Sequence, residues 1–281
     1  MKTYSASLLA SIIILLTVFT VEAGSRAVIE VEEVEGEHVE KSIETITYDE
    51  KRFRIDFLGE DKKKTEQTPF IMTVNGGNDW VIGDKPKNKF YCSKMQTEQF
   101  FKNMGTQVTD AIEFFNVTAE EPTVKKILEE PGPNIQGYKT THLQLETNAK
   151  AYTWILFLKF EYSVKIIDDL WYTTDVEIHP VRKKWINALS QSGNSIIDTL
   201  FTNITSKIQG PILKSESVVS ITNVKKNETK TQKIRMVVTE IEELKSSELD
   251  EIFKMPECVT MDDDEVQEKA KALLSADRIM L

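Results

Sequence analysis

The sequence predicts an α+β fold in which helices cover the concave face of a strongly curved antiparallel sheet, an open half-barrel. Three observations support this prediction. Several segments alternate apolar and polar residues, two long segments carry apolar residues at helical spacing, and one alternating run, from Ala151 to Ile166, is exceptionally apolar. The chain has 281 residues, a length typical of one such domain preceded by a short leader.

The first 23 residues have the composition of a secretory signal peptide. Lys2 gives a positive start, the apolar run from Leu8 to Val21 is shorter than a membrane span requires, and Ala23 ends a small-residue cleavage motif. We therefore expect a signal peptide over residues 1–23, a single domain over 24–260 and an acidic C-terminal tail over 261–281. An uncleaved anchor is the alternative. After cleavage near Ala23 the protein would be periplasmic or secreted.

Composition argues against several classes of function. The chain has 35 basic and 45 acidic side chains, a net charge of −10, which excludes a protein that binds nucleic acid through bulk charge. With 40% hydrophobic residues it is not a multi-span membrane protein, so we expect membrane contact to be peripheral at most. Two cysteines cannot form a four-thiolate zinc site. After export, Cys92 and Cys258 either form a disulfide or remain unpaired. We expect no metal ion and no other cofactor.

The N-terminal third of the chain is predicted to be rich in strands. β-branched residues with charged neighbours predict strands over Val28–Val34 and Val39–Tyr48. From Arg52 to Phe57 apolar and charged side chains alternate, so Phe53 and Phe57 share one face of a third strand.

The same alternation recurs in Phe70–Val74, which we assign to the same apolar face. Asn75–Asn78 contains two glycines, which tolerate the positive φ of a tight hairpin, and a return strand begins at Trp80. A further short strand begins at Phe90. The period then changes, because Thr97–Asn116 carries apolar residues at three-and-four spacing and predicts an amphipathic helix that covers an apolar surface.

The second half of the chain repeats the combination of helix and strand. Glu121–Glu130 predicts a short helix, which Pro131–Pro133 ends. Val181–Gln209 predicts a helical segment with a break at Gly193–Asn194. Two long strands are predicted to complete the fold, over Ile212–Lys225 and Thr231–Leu244.

The central run from Ala151 to Ile166 is the most informative segment. Every even position is apolar or aromatic, whereas the odd positions become polar after Phe157. This pattern predicts a single long strand with one wholly apolar face, which belongs in a large curved sheet. Charged residues within the run exclude a membrane span. The Asp168–Asp169 pair that follows is interpreted as a turn between strands.

No catalytic constellation is apparent in the sequence. It lacks the nucleophile elbow Gly-x-Ser-x-Gly, the phosphate-binding loop and the zinc-protease motif His-Glu-x-x-His. His38, His142 and His179 are each interpreted as surface or sheet residues rather than as general bases. The sequence therefore predicts a protein that is not an enzyme.

Aromatic and methionine side chains are abundant on the predicted inner faces. They either form a packed core or line a hydrophobic cavity beneath the helices, with the helix over Thr97–Asn116 as its lid. Burial of an acyl chain in such a cavity contributes roughly 0.8 kcal/mol per methylene. The candidate ligand-binding residues are Phe53, Phe57, Met72, Trp80, Phe100, Met104, Trp154, Leu156, Leu158 and Phe160.

The order of several segments carries a family resemblance. Before the first helix these segments are Arg52–Asp56, Phe70–Val74 with Asn75–Gly77, and Lys89–Tyr91; after it they are Gly137–Thr141, the aromatic run, Asp168–Thr174 and Ile252–Pro256. In this order the chain resembles the periplasmic lipoprotein-carrier superfamily that includes LolA, LolB and LppX. Within that superfamily it is similar to a branch defined as a domain of unknown function.

The resemblance implies the bent half-open sheet, export to a bacterial periplasm and a hydrophobic cargo. The chain departs from the family in two places. It lacks the cysteine at which many relatives are lipid-anchored, and Glu257–Cys258 stands where the branch has Gly-Tyr. The resemblance assigns no individual ligand residue.

Two functional hypotheses follow from these observations. The first is an exported non-enzymatic binder or carrier of a hydrophobic ligand, a lipid or a lipidated protein, in the bacterial cell envelope. The second is an envelope protein-interaction module with a filled core and no small ligand. The sequence leaves the oligomeric state open.

Overall fold

The structure is a computed structural model, which describes residues 24–58, 70–78, 80–84, 89–93, 96–114, 117–155, 158–254, 257 and 259–260. The predicted signal peptide and the predicted acidic tail lie outside these residues.

The described residues form thirteen strands of one sheet. They are β1 (Ser25–Glu35), β2 (His38–Tyr48), β3 (Phe53–Leu58), β4 (Phe70–Thr73), β5 (Trp80–Asp84), β6 (Lys89–Ser93), β7 (Val117–Ala119), β8 (Thr123–Pro131), β9 (Thr141–Ile155), β10 (Leu158–Tyr172), β11 (Ile212–Asn223), β12 (Glu228–Glu243) and β13 (Val259–Thr260).

The order of the strands shows that the sheet is open. From one end to the other it runs β13, β6, β5, β4, β3, β2, β1, β12, β11, β10, β9 and β7, and β8 also pairs with β9. Within the described residues the two end strands do not pair with each other. Neighbouring strands are antiparallel, apart from the short parallel pair of β13 and β6. The predicted α+β class and an open, mostly antiparallel sheet are confirmed.

Four helices accompany the sheet in the described part of the chain: α1 (Thr97–Phe114), α2 (Pro180–Leu189), α3 (Ser195–Thr205) and α4 (Ser246–Ile252). The predicted break between α2 and α3 is present. Gly193 there has a φ of 84°, and the Asn194 side chain caps α3 by accepting the N–H groups of Ile196 and Ile197. The sequence pattern does not predict α4.

The short helix predicted over Glu121–Glu130 is wrong, because Thr123–Pro131 forms the strand β8. β8 pairs with β9, and its register shifts between Lys126 and Leu128. Ile127 is therefore the extra residue of a β-bulge. Because the bulge interrupts the alternation, the apolar residues Val124, Ile127 and Leu128 fall at a helix-like spacing.

The apolar run from Ala151 to Ile166 is a hairpin and not the single strand that its alternation predicts. β9 and β10 pair Ile155 with Leu158, and residues 156 and 157 between them lie outside the described residues. In this register Tyr152 lies opposite Glu161, so the even positions of β9 share a face with the odd positions of β10. The prediction of one wholly apolar face over the whole run is therefore wrong.

The two faces of the sheet carry separate apolar clusters. The inner face, defined as the face that carries Phe53 and Phe57 of β3, packs against residues of α1, α2 and α3 in one large cluster. A second cluster joins Met72 of β4 to Leu249 of α4 on the outer face. The register explains this division, because Met72 lies opposite Arg54, whose side chain points away from that of Phe53.

Candidate functional site on the inner face of the sheet

Phe53 lies at the centre of the inner-face cluster and is completely enclosed. It is 0% exposed. The Trp185 ring of α2 meets it edge-on at a centroid distance of 5.2 Å, and the His179 ring lies 5.8 Å away. The Arg182 guanidinium carbon is 5.1 Å from the centroid of the Phe53 ring. These aromatic and cation–π contacts fill the space that a ligand would need beside Phe53.

Arg182 and Glu44 place two charged side chains inside this cluster. Arg182 is on the first turn of α2, Glu44 is on β2 opposite Phe57, and both are buried. Burial raises the pKa of Glu44 to about 7, although the charge of Arg182 opposes this shift. Burial likewise lowers the pKa of Arg182 to about 9. Because the two buried groups carry opposite charges, removing either side chain would leave the other without its compensating charge and would destabilise the fold.

The turn between β4 and β5 links this cluster to α1 and α2. Gly77 has a φ of 85°, and its N–H donates to Thr73 Oγ1 at 3.1 Å. The Thr97 hydroxyl at the start of α1 donates to the Gly77 carbonyl. A Cβ on Gly77 would lie 3.3 Å from Thr97 Oγ1 and 3.5 Å from Trp185 Nε1, so there is little room for a side chain. The hairpin predicted at Asn75–Asn78 is therefore present and anchors both helices.

Four of the predicted ligand-binding residues are buried in the packed clusters. Phe53, Phe57 and Phe100 belong to the inner-face cluster, and Met72 belongs to the outer-face cluster. None of the four is more than 5% exposed. A side chain that lined an open internal cavity would be accessible to a water-sized molecule. These four side chains are therefore in contact with protein rather than with open space. The prediction that Met72 shares a face with Phe53 and Phe57 is wrong.

The other predicted residues are described only in part. The structure describes the backbone, but not the side chains, of Trp80 on β5, Met104 on α1, Trp154 on β9 and Leu158 on β10. Leu156 lies outside the described residues. Phe160 on β10 is described in full and is half-buried. In the backbone register Trp154 pairs with Lys159, and Phe160 pairs with Thr153.

The predicted disulfide involves a cysteine outside the described residues. Cys92 lies on β6, where Thr260 of β13 is its backbone neighbour, and Val259 lies opposite Tyr91. Cys258 precedes β13 and is not among the described residues. The backbone thus brings the residue that follows Cys258 alongside β6, and the disulfide stays a prediction.

Beyond the packed cluster, the inner face continues as an apolar surface that is only half-buried. Val164 of β10 lies opposite Ala149 of β9 and Ile221 of β11. Val164 and Ile221 pack against the edge of the inner-face cluster, and Tyr162 and Phe160 follow toward the end of the hairpin. We call Phe160, Tyr162, Val164 and Ile221 the inner-face margin.

The outer-face residues of the same strand segments are polar. Ser163 and Lys165 alternate with the margin residues of β10, and Ser220 and Thr222 flank the margin residue of β11. Thr229 of β12 lies opposite Thr222, with the two hydroxyl oxygens 2.9 Å apart. The apolar character of these segments is therefore confined to the inner face.

The sequence contained a signal for this margin that the list of candidate residues missed. Tyr162 and Val164 are among the even positions of the run from Ala151 to Ile166 that the sequence predicts to be apolar, whereas Ile221 lies in the predicted strand Ile212–Lys225. The alternation from Val219 to Thr222 is the signal that could have found it. On the other side of β11, Lys230 of β12 lies opposite Ile221 and forms a polar border to the margin.

Asp168 and Asp169 lie within β10 and do not form the predicted turn. Asp168 faces inward, is buried and accepts a hydrogen bond of 2.6 Å from the Ser217 hydroxyl. Burial raises the pKa of Asp168 to about 6, although the bond from Ser217 opposes the shift. Asp169 faces outward, where its carboxylate lies 2.8 Å from His142 Nε2. The alternation of a continuous strand explains why two adjacent aspartates have such different surroundings.

A cleft of about 560 Å³ lies between α1 and α2. Its lining includes three exposed or half-buried lysines, Lys102, Lys183 and Lys184. The amine of Lys183 lies 2.8 Å from Glu177, and that of Lys184 lies 3.7 Å from Glu98. This solvent-facing cleft is a different place from the apolar cavity predicted beneath the helices.

Comparisons with known proteins leave the family open. No family model and no curated protein matches the chain. Among solved structures, the chain is similar to one described as "Structure of PNGF-II in C2 space group", with a TM-score of 0.37 and 12% identity. The match covers 88% of this chain and 33% of that one, so the chain spans about a third of the length of that protein. Similarity at this level supports no statement about fold or function.

No helix in the described ranges is both long enough and apolar enough to cross a membrane.

Proposed function

We propose that the protein is an exported, non-enzymatic binder or carrier of a lipid or a lipidated protein in the bacterial cell envelope. The acyl chain of the ligand lies against the inner-face margin, formed by Phe160, Tyr162, Val164 and Ile221. This proposal moves the site from Phe53 and its neighbours, which are already enclosed by protein, to the half-buried end of the same face.

The observation that supports this site is the one-sided apolarity of the strand ends. Half-buried apolar side chains occupy the inner positions of β10 and β11, whereas the adjacent outer positions hold Ser163 and Thr222. If both faces of these strand ends were exposed to water, we would expect polar residues on both faces. Covering the margin with an acyl chain would remove apolar surface from water, at roughly 25 cal/mol per Å².

The proposal includes a strongly curved half-barrel with α1, α2 and α3 on its concave side and α1 as the lid. The contacts of α2 with Phe53 support this placement. β7, which follows α1 in the chain, pairs with β9 from Ala151 to Thr153, and Thr153 lies opposite Phe160. β7 therefore places the chain that follows α1 beside the β9 residues that pair with the margin strand β10.

The envelope setting rests on the sequence. The first 23 residues have the composition of a signal peptide, and the order of the apolar segments resembles the lipoprotein-carrier superfamily. Periplasmic or secreted localisation and a hydrophobic cargo are therefore part of the proposal.

The experiment that tests the site compares two glutamate substitutions one residue apart. Ile221→Glu places a charge on the margin, whereas Thr222→Glu places the same charge on the outer face of the same strand. Binding of a fluorescent fatty acid is measured by titration for the wild-type protein and both variants. Because a carboxylate must lose its hydration against an acyl chain, we expect Ile221→Glu to weaken binding at least about tenfold and Thr222→Glu to leave it unchanged. Equal affinities of the two variants would contradict the site.

The envelope interaction module with a filled core is the second candidate function. The complete enclosure of Phe53 favours it, because a carrier with a preformed cavity around that residue would expose its ring. This candidate predicts that the purified protein neither carries lipid in native mass spectrometry nor binds the fatty-acid probe. It also predicts that a protein partner from an envelope extract binds the wild-type chain and the Ile221→Glu variant equally.

A further inference from the structure

The strand β8 presents an exposed edge with two adjacent apolar residues. Ile127 is 52% exposed and Leu128 is 36% exposed. Within the described residues β8 pairs with β9 alone, so the backbone groups along its other edge are available to another strand. An edge of this kind can accept a further strand by antiparallel addition.

Charged residues flank the two apolar residues with opposite signs. Lys125–Lys126 precede Ile127, and Glu129–Glu130 follow Leu128. All four charged residues are exposed. An antiparallel copy of the same strand runs in the opposite direction, so it presents its glutamates where the first copy has its lysines. The strand is therefore electrostatically complementary to itself.

We propose that β8 pairs with the β8 strand of a second copy of this chain about a twofold axis at Leu128. Ile127 is the extra residue of the β-bulge and is not counted in the register. The axis at Leu128 then sets Lys126 opposite Glu129 and brings the two copies of Leu128 together. One residue farther out, each Lys125 lies opposite a Glu130.

The charges also select this register over its neighbours. An axis at Lys126 would place this lysine opposite its own copy, and an axis at Glu129 would place that glutamate opposite its own copy. Like charges directly opposite each other destabilise a strand pair, so both shifted registers are disfavoured. Lysines and a bulge also protect an edge against unrelated strands, which leaves a second copy as the best-matched partner.

The dimer would be a weak one. A single strand from each copy buries less surface than a standard protein interface, so we expect a dissociation constant in the micromolar range. The contact of 2.5 Å between Lys126 and Glu129 within one chain must be exchanged for contacts across the axis. The favourable free energy of dimerisation then comes from the burial of Ile127 and Leu128, because both side chains are exposed in the single chain.

The experiment uses charge inversions that separate contacts within a chain from contacts between chains. One variant carries Lys125→Glu and Lys126→Glu, and the other carries Glu129→Lys and Glu130→Lys. Each variant alone has four like charges along the edge and should remain monomeric in sedimentation equilibrium. An equimolar mixture restores complementarity across the axis, so it should contain a heterodimer.

A control with the same change in net charge as the Lys125→Glu, Lys126→Glu variant is available in the turn between β11 and β12. Lys225→Glu with Lys226→Glu should dimerise as tightly as the wild-type chain. Circular dichroism of every variant confirms that the edge substitutions leave the sheet intact. The proposal is overturned if the wild-type chain remains monomeric at the highest concentration, or if the mixture of the two edge variants remains monomeric.

Discussion

Strands β3 and β4 are six and four residues long and have buried side chains on both faces, whereas β9 to β12 are 12 to 16 residues long, and beside the margin the outer face of β10 and β11 carries Ser163, Lys165, Ser220 and Thr222. The short strands lie between the inner-face cluster and the cluster beneath α4. The long strands extend past the inner-face cluster as the half-buried margin. The difference shows that one sheet can contain a region covered on both faces and a region whose inner face keeps half-buried apolar residues at its margin.

The two regions also accommodate buried carboxylates differently. On the outer face of β3, the buried Asp56 lies 2.7 Å from the Arg54 guanidinium, which is also 3.9 Å from the centroid of the Phe70 ring. On the inner face of β10, the buried Asp168 receives a hydrogen bond from Ser217. A guanidinium compensates a buried carboxylate by charge, whereas a hydroxyl contributes only a hydrogen bond.

The largest expected difference between the regions is in the response to truncation of an aromatic ring. Phe53→Ala removes a fully enclosed ring and should lower the free energy of unfolding by about 3–5 kcal/mol. Phe160→Ala removes a half-buried ring of the margin and should lower it by about 1 kcal/mol. Urea unfolding of both variants measures these changes. Similar losses would show that the margin is packed as tightly as the centre of the cluster.

A smaller effect is expected in the pH dependence of stability. In the folded protein the pKa of Asp168 is raised to about 6. At pH values between the ordinary pKa of an aspartate and about 6, the folded state therefore binds more protons than the unfolded state. The free energy of unfolding should therefore fall as the pH rises through this window, by about 2–3 kcal/mol from this residue. Glu44 adds a decline in the same direction up to about pH 7.

Two variants test the role of Asp168 in this decline. Asp168→Asn should reduce the fall in stability between about pH 4 and about pH 7, measured by urea unfolding at each pH. Ser217→Ala removes a hydrogen bond that lowers the pKa of Asp168, so it should extend the decline to higher pH. An Asp168→Asn variant with the wild-type pH profile would contradict the inward, buried placement of this carboxyl.

The smallest effect is expected on the outer face of the long strands. Thr222→Ala removes a hydroxyl that lies 2.9 Å from the Thr229 hydroxyl in a half-buried to exposed setting. We expect a change within about 0.5 kcal/mol in the free energy of unfolding, because surface substitutions of this kind are nearly neutral. A loss comparable with that of Phe53→Ala would mean that the outer face of β11 is covered.

Local alternation was sufficient to predict the first strands and the main helices. The pattern from Arg52 to Phe57 correctly separated the inner and outer faces of β3, and Gly193–Asn194 correctly marked the break between α2 and α3. These predictions depend on side-chain period and capping within one segment. They need no knowledge of which segments meet in the fold.

The errors arose where pairing between segments decides the outcome. Leu156 and Phe157, which stand in the sequence between the paired Ile155 and Leu158, are apolar and include no glycine, asparagine or aspartate, so the sequence alternates from one strand into the next without a turn signal. The bulge at Ile127 made a strand resemble a helix. Met72 was assigned to the wrong face because its register with Arg54, and not its own alternation, determines which way it points.

From the sequence, the candidate site could be predicted only as an apolar face of the sheet and not as particular residues. The sequence indicated an apolar inner face, but the helices that fill its centre are positioned by tertiary contacts such as that of Arg182 with the Phe53 ring. The positions at which α2 and α3 stop covering the sheet therefore determine which part of the apolar face remains half-buried. No local pattern contains that information.

Photo-crosslinking with a fatty acid that carries a diazirine group tests the central claim most directly. Mass spectrometry then identifies the labelled residues, and unlabelled fatty acid competes for the site. We predict competed labelling at Tyr162, Val164 and Ile221 on the inner face, with the intervening Ser163 and Ser220 unlabelled. Labelling that is absent, that is not reduced by competitor, or that falls equally on inner and outer residues of these strands would contradict an acyl-binding margin.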